Sequence, residues 1–149
     1  MSKREFDKFL KERFETEINW YDKQSYTNKF WFNALSIYVI AGSIIVPILI
    51  SYLDVSQLLI KIIIAVTSGS VAIAASINNL FKFQENWINY RTTCETLRKE
   101  KSYYLGNVDD YSRAKDKEAL FIERVEAIIS RENTLWLTVQ KIEKNKTSS

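Results

Sequence analysis

Histidine is absent from this chain. Its absence removes the usual general base near neutral pH, His-based triads and histidine-ligated metal sites. The single cysteine, Cys94, permits no internal disulfide. Cys94 falls on an apolar seam, where a core thiol is expected. Three glycines and one proline leave the chain poor in turns, which favours long helices over a strand-rich fold. No Gly-rich phosphate loop or Walker motif is present. There is no basic block either. The net charge of +3 is spread over mixed faces, so nucleic acid is not an expected partner. Glu85, Glu95, Arg91, Arg98, Glu123, Arg124 and Glu126 read as ion pairs on bundled helices. No enzymatic activity and no cofactor are expected.

Charge is also missing from two long stretches. Phe30–Leu53 runs 24 residues and Ile62–Phe81 another 20 without a formal charge, separated only by Asp54 and Lys61 among charged residues. The mean hydropathy of −0.20 hides this segregation. Apolar runs of about 18 residues or more read as membrane-spanning helices, since 20 residues at 1.5 Å each reach roughly 30 Å. The expected fold is therefore an all-α membrane protein. Its centre is a two-helix transmembrane hairpin over 30–82, with spans at 30–53 and 60–81. The lipid bilayer is its first partner.

Residues 1–29 read as a cytosolic amphipathic helix. Phe6, Leu10, Phe14, Ile18 and Tyr21 recur at spacings of four, four, four and three, with Arg4, Lys8, Glu12 and Glu15 opposite. Packing on the rest of the cytosolic part is favoured over lying flat on lipid, because the acidic residues oppose the latter. The charged stretch Met1–Lys29 does not resemble a signal peptide, so the first apolar run is expected to be retained as an anchor.

Aromatic rings mark the expected interfaces: Phe30, Trp31 and Phe32 at entry, Trp87 and Tyr90 at exit, and Tyr52 at the far side. The bend at Asp54–Gln57 is too short for a domain, so both termini share one side. Lys11, Arg13, Lys23, Lys29, Lys82, Arg91, Arg98, Lys99 and Lys101 lie on that side, against Lys61 near the bend. The positive-inside rule then places both termini in the cytosol.

Beyond the membrane the second helix is expected to continue. Phe83, Trp87, Tyr90, Cys94, Leu97, Lys101 and Tyr104 form a heptad seam, spaced alternately four and three. Gly106–Tyr111 has the composition of a turn. A helix from about Ser112 to Lys144 repeats the seam with Phe121, Val125, Ile128, Glu132, Leu135, Val139 and Ile142, with Ile129 and Trp136 widening the face, and residues 145–149 form a polar tail. The N-terminal helix, the extension of transmembrane helix 2 and the C-terminal helix should make a cytosolic helical bundle, with 83–144 as its helical hairpin. Phe83, Trp87, Tyr90, Leu97, Phe121, Val125, Ile128 and Leu135 are its candidate assembly seam. Pairing within the chain and between copies are both compatible with it.

The second span is the more polar. Ala65, Gly69, Ala72, Ser76 and Asn79 make a stripe of small side chains, and Asn33, Ser36, Ser43, Pro47 and Ser51 make a similar one on helix 1. Counting from the bend sets Ser43 near Gly69, Ser36 near Ser76, and Asn33 near Asn78 and Asn79. Two readings stay open for Asn33, Ser36, Ser43, Gly69, Ala72, Ser76 and Asn79. They let the two helices pack closely, or they line a water path in an assembly of several hairpins.

The run FKFQENWINYRTTCETLRKEKSYYL (81–105) resembles the post-membrane motif of the SLATT family of bacterial two-transmembrane domains. Phe83, Glu85, Trp87, Tyr90, Arg91, Thr93, Glu95 and Leu97 stand in the order of that motif. NWYDKQSYTNKFW (19–31) is similar to the family's segment before helix 1, and FIERVEAIISRENTLW (121–136) to its C-terminal helix. The resemblance spans about residues 17–140. It implies an oligomeric pore-forming effector or ion channel of a bacterial conflict or antiphage defence system. Such an effector sits in the inner membrane as a homo-oligomer and depolarises the cell on a signal sensed by a separate sensor protein or by the small cytosolic bundle. The alternative is a non-conducting anchor or scaffold whose cytosolic helices recruit a partner.

Overall fold

The computed structural model describes the backbone of residues 3–51 and 58–146 and the side chains of 4–51 and 58–131. Every regular element among the described residues is helical. In order these are α1 (Lys3–Phe9), a π-helical turn (Leu10–Phe14), α2 (Glu15–Ser51), α3 (Leu58–Phe81), α4 (Phe83–Gly106), a 3-10 turn (Asp109–Ser112) and α5 (Lys117–Lys146). The chain divides into two compact units, Met1–Lys23 with Asn89–Ser149, and Gln24–Ile88. The expected bend at Asp54–Gln57, the end of the polar tail and the side chain of Leu135 lie outside the described residues.

In the first unit, three helical segments share one core. Phe6, Phe14 and Tyr21 come from the N-terminal segment, Cys94 and Leu97 from α4, and Phe121, Val125 and Ile129 from α5. The π turn explains how the N-terminal face stays in register. A four-residue step overshoots an α-helical turn by about 40°, so Phe6, Leu10 and Phe14 would spiral off the core. The wider π turn takes up that drift, and Phe6, Phe14 and Tyr21 are all buried. The rings then interlock. Phe121 lies 5.2 Å from Phe14 and 5.0 Å from Tyr104, and Phe6 lies 5.2 Å from Tyr104. Of the two heptad seams, Cys94, Leu97, Phe121 and Val125 are buried in this core. On α5 the core takes Ile129, while Ile128 packs half-buried at its edge.

The link from α4 to α5 differs from the expected one. Gly106 closes α4 itself, and Asn107 (φ 51°) and Asp109 (φ 59°) turn the chain in the left-handed region that short polar side chains tolerate. α5 begins at Lys117, later than the expected Ser112, because Asp116 caps it: its Oδ1 accepts the Ala119 N–H at 3.0 Å. The intervening 3-10 turn delivers Tyr111 to the core. Its hydroxyl donates to Glu100 Oε1 at 2.5 Å, and Arg124 reaches the same oxygen at 3.2 Å. Burial pushes the Tyr111 phenol well above its ordinary range, and the bond to Glu100 adds to the shift.

In the second unit α2 and α3 are in contact. Ser36 meets Asn78, and Gly42 meets Val71. Near the start of the unit, Ser25 Oγ donates to the Trp87 carbonyl at 3.2 Å and the Lys29 ammonium sits 5.5 Å over the Trp87 ring. The expected unbroken extension of the second apolar helix is not what forms. α3 ends at Phe81, Lys82 takes a left-handed φ of 49°, and α4 restarts at Phe83. A left-handed lysine costs on the order of 1–2 kcal/mol. The break is held by Asn86, whose side-chain amide donates to the Phe81 carbonyl at 3.0 Å, and by stacking of Phe81 on Phe83 at 5.6 Å.

Two outcomes follow for the first unit. Leu97→Ala, at a fully buried site, should lower stability by about 2–5 kcal/mol, read by denaturant unfolding of the full chain in detergent. The Tyr111 phenol is held neutral in the fold, so its contribution is complete below the unfolded value of about 10 and is lost as pH rises above it. Alkaline unfolding should therefore show a fall in stability above pH ~10 that Tyr111→Phe flattens.

Candidate functional site

Both apolar helices are long and apolar enough to cross a membrane, and only 6% of the most apolar 18-residue window of each is buried within the chain. Ile37, Ile40, Ile44 and Ile48 on α2 and Val66, Ile73 and Leu80 on α3 all stand exposed. The polar groups among them are of two kinds. Hydroxyls turn back on their own helix: Ser43 donates to Val39 at 2.7 Å, Thr67 to Ile63 at 2.8 Å and Ser76 to Ala72 at 2.8 Å, each through the carbonyl oxygen. Such back-bonding satisfies the donor wherever the residue faces. The amides do not all find partners. Asn78 Nδ2 donates to Ser36 Oγ at 3.2 Å, but its Oδ1 is enclosed with none. Asn33 and Asn79 are exposed.

The residues singled out from the sequence separate accordingly. Ser36 is at the α2–α3 contact, half-buried. It meets Asn78, not the expected Ser76, a shift of two residues in register. Asn33, Ser43, Gly69, Ala72, Ser76 and Asn79 are exposed. A side chain added at Gly69 would meet nothing within 4 Å. The seam actually used by α3 carries Ile64, Val71, Ala74 and Asn78. Ala65, Ala72 and Asn79 each follow a seam residue by one position, about 100° round the helix.

The close approach belongs to Gly42 instead. A Cβ there would collide with Val71 Cγ2. Valine is stiff at χ1 in a helix, so it cannot swing clear. A large residue seats on a glycine of the opposite helix, and matched small stripes are not needed. Gly42 is the only glycine of the first apolar run, a signal the stripe reading passed over. Tyr38 adds a second link, its hydroxyl 2.5 Å from Ser70 Oγ.

At one end of this contact lies a groove of about 430 Å³. α2 lines it with Phe32, Ser36, Val39 and Ile40, and α3 with Ala75, Asn78 and Asn79. Lys82 at the helix break and Gln84 and Glu85 in the first turn of α4 complete it.

The motif residues of α4 serve attachment. In the first unit, Tyr90 stacks edge-on with Trp20 at 5.6 Å, and Asp22 pairs with Arg91 at 3.2 Å and Arg98 at 3.4 Å. Glu95 bridges both arginines. Arg13–Glu126 and Lys101–Glu15 add pairs between segments. Burial pushes the Cys94 thiol up, so it stays protonated and weakly reactive. In the second unit, Phe83 and Trp87 are half-buried and outside the first unit's core; the seam becomes a core only from Tyr90 onward. Among the described residues, no group of three or more Cys, Asp or Glu side chains is placed to hold a metal ion.

A family model described as a protein of unknown function (DUF4231) matches residues 16–119, from the first turn of α2 to that of α5. No curated protein and no solved structure matches the chain.

Substitutions at Gly42 and Gly69 should act in opposite ways. Gly42→Ala should lower the thermal midpoint in detergent, with Val71→Ala in the same chain restoring it. Gly69→Ala should leave the midpoint unchanged or raise it, since alanine favours helix by about 1 kcal/mol.

Proposed function

The chain belongs to the DUF4231 family of proteins of unknown function, and from that footing we propose that it is an oligomeric pore-forming effector or ion channel of a bacterial membrane. In this reading α2 and α3 form a transmembrane hairpin with both termini in the cytosol. The segments Met1–Lys23 and Asn89–Ser149 make the cytosolic bundle. Copies assemble through the hairpin, and a separate sensor protein supplies the trigger. Loss of membrane potential in a defence or conflict setting is the output, as the likeness of residues 81–105 to the SLATT motif implies.

One observation carries the reading. Ala65, Gly69, Ala72, Ser76 and Asn79 form a continuous polar and small face on α3 that the contact with α2 leaves exposed. Beside it, α2 and α3 present isoleucine, leucine and valine suited to hydrocarbon. A helix with one small, polar face and one oily face divides naturally between lipid and a neighbouring copy or a water path. Its hydroxyl, on Ser76, keeps a lone pair outward while its proton stays on the helix, so with the Asn79 amide it can hydrate a path without intramembrane charge.

Purified full-length protein in liposomes should dissipate a potassium diffusion potential, and Ser76→Leu should reduce the rate about tenfold or more by an added bulky apolar group. A chain that assembles yet never conducts, and that keeps its cellular effect when the hairpin is exchanged for an unrelated one, would establish the anchor or scaffold reading instead.

A further inference from the structure

The groove beside Lys82 opens where the α2–α3 contact ends. It runs along the helices from Val39, Ile40 and Ala75 to Asn79, Lys82 and Glu85. Seven residues separate Ala75 from Lys82, about 10 Å of helix. Over that distance the lining changes from wholly apolar to carrying one cation, one anion and the exposed amides of Asn79 and Gln84. Lys82 is also the first charge after the second uncharged run. If α2 and α3 span a bilayer, the groove lies where hydrocarbon meets headgroups.

Lysine is an odd choice at that break. A helix that ends in a left-handed residue ordinarily takes glycine there, and Lys82 stands at φ 49°. Backbone strain held at one position points to a use for its side chain. An ammonium there attracts phosphate; Glu85 nearby attracts a cation. Opposite charges in one groove leave it locally neutral, which disfavours a purely anionic guest and suits a zwitterion.

We propose that this groove seats a phospholipid with a primary-ammonium headgroup, its phosphate on Lys82, its ammonium on Glu85 and Asn79, and the start of an acyl chain along Val39, Ile40 and Ala75. The volume of about 430 Å³ takes a headgroup and the first methylenes, not a whole lipid. The proposal rests on the bilayer reading above. It adds a bound lipid that braces the helix break, and so makes the break sensitive to membrane composition.

The test is native mass spectrometry of the delipidated full chain in detergent. The probes are dioleoyl phosphatidylethanolamine, phosphatidylcholine and phosphatidylglycerol, each added alone. The ethanolamine lipid should be retained about fivefold better than the other two, a factor typical of one partly exposed ion pair. Choline has no N–H to donate and glycerol no cation. Lys82→Gly should lower that retention about fivefold while leaving the thermal midpoint unchanged or higher, because glycine relieves the left-handed backbone. Glu85→Gln should abolish the preference of ethanolamine over choline. Equal retention of the three lipids, or full retention by Lys82→Gly, would overturn the proposal. Release of the wild-type chain from vesicles by alkaline carbonate would instead refute the bilayer reading itself.

Discussion

An apolar helix that its own chain does not bury has to be covered by something else. In α2 and α3 the most apolar windows are only 6% buried, so the chain by itself does not shield them from water. Exposing this many isoleucines to water would forfeit about 1.5–3 kcal/mol for each side chain. That constraint orders the rest of the molecule. The backbone must close its own hydrogen bonds, which helices do. The hydroxyls of Ser43, Thr67 and Ser76 must find acceptors locally, and they do so one turn back. Charged side chains must gather at the ends, and the sequence places them there.

Within that constraint the two helices need very little to hold each other. Gly42 receives Val71, Ser36 receives Asn78, and Tyr38 meets Ser70. Glycine opposite a β-branched residue brings backbones close without a stripe of small residues on both sides. Using the α3 seam through Ile64, Val71, Ala74 and Asn78 leaves the smaller face free. The enclosed Asn78 Oδ1, without a partner, is the weak point of the contact. A buried acceptor left unmade costs about 1–3 kcal/mol.

The first unit is built by different means. Its core is aromatic, centred on Phe121 with Phe14, Phe6 and Tyr104 around it. Around that core, ion pairs link segments distant in sequence, as in Asp22 with Arg91 and Arg98 or Arg13 with Glu126. These pairs are half-exposed and each is worth at most about 1 kcal/mol. Register comes from the rings, from the π turn at Leu10–Phe14 and from the cap at Asp116. The motif residues Tyr90, Arg91 and Glu95 thus have a structural occupation, attaching α4 to the N-terminal segment.

The sequence alone determined that the regular elements among the described residues are helices and that two of these are long and apolar enough for a bilayer, because length, periodicity and the absence of charge are one-dimensional properties. It also spaced Cys94, Leu97, Phe121 and Val125 as heptad seams but left open whether they pair within the chain or between copies; in the structure these four side chains are buried in one core. Only the tertiary structure decided which face of α3 meets α2. Rotation about a helix axis by 100° exchanges one plausible stripe for another, and shape complementarity between Gly42 and Val71 makes the choice. The break at Lys82 was equally hidden: lysine carries no turn signal, and the left-handed kink is imposed by Asn86 and the stacked rings of Phe81 and Phe83. Spacing could not register the π turn or the late start of α5, because each depends on a local hydrogen bond that displaces a pattern otherwise consistent with a straight helix.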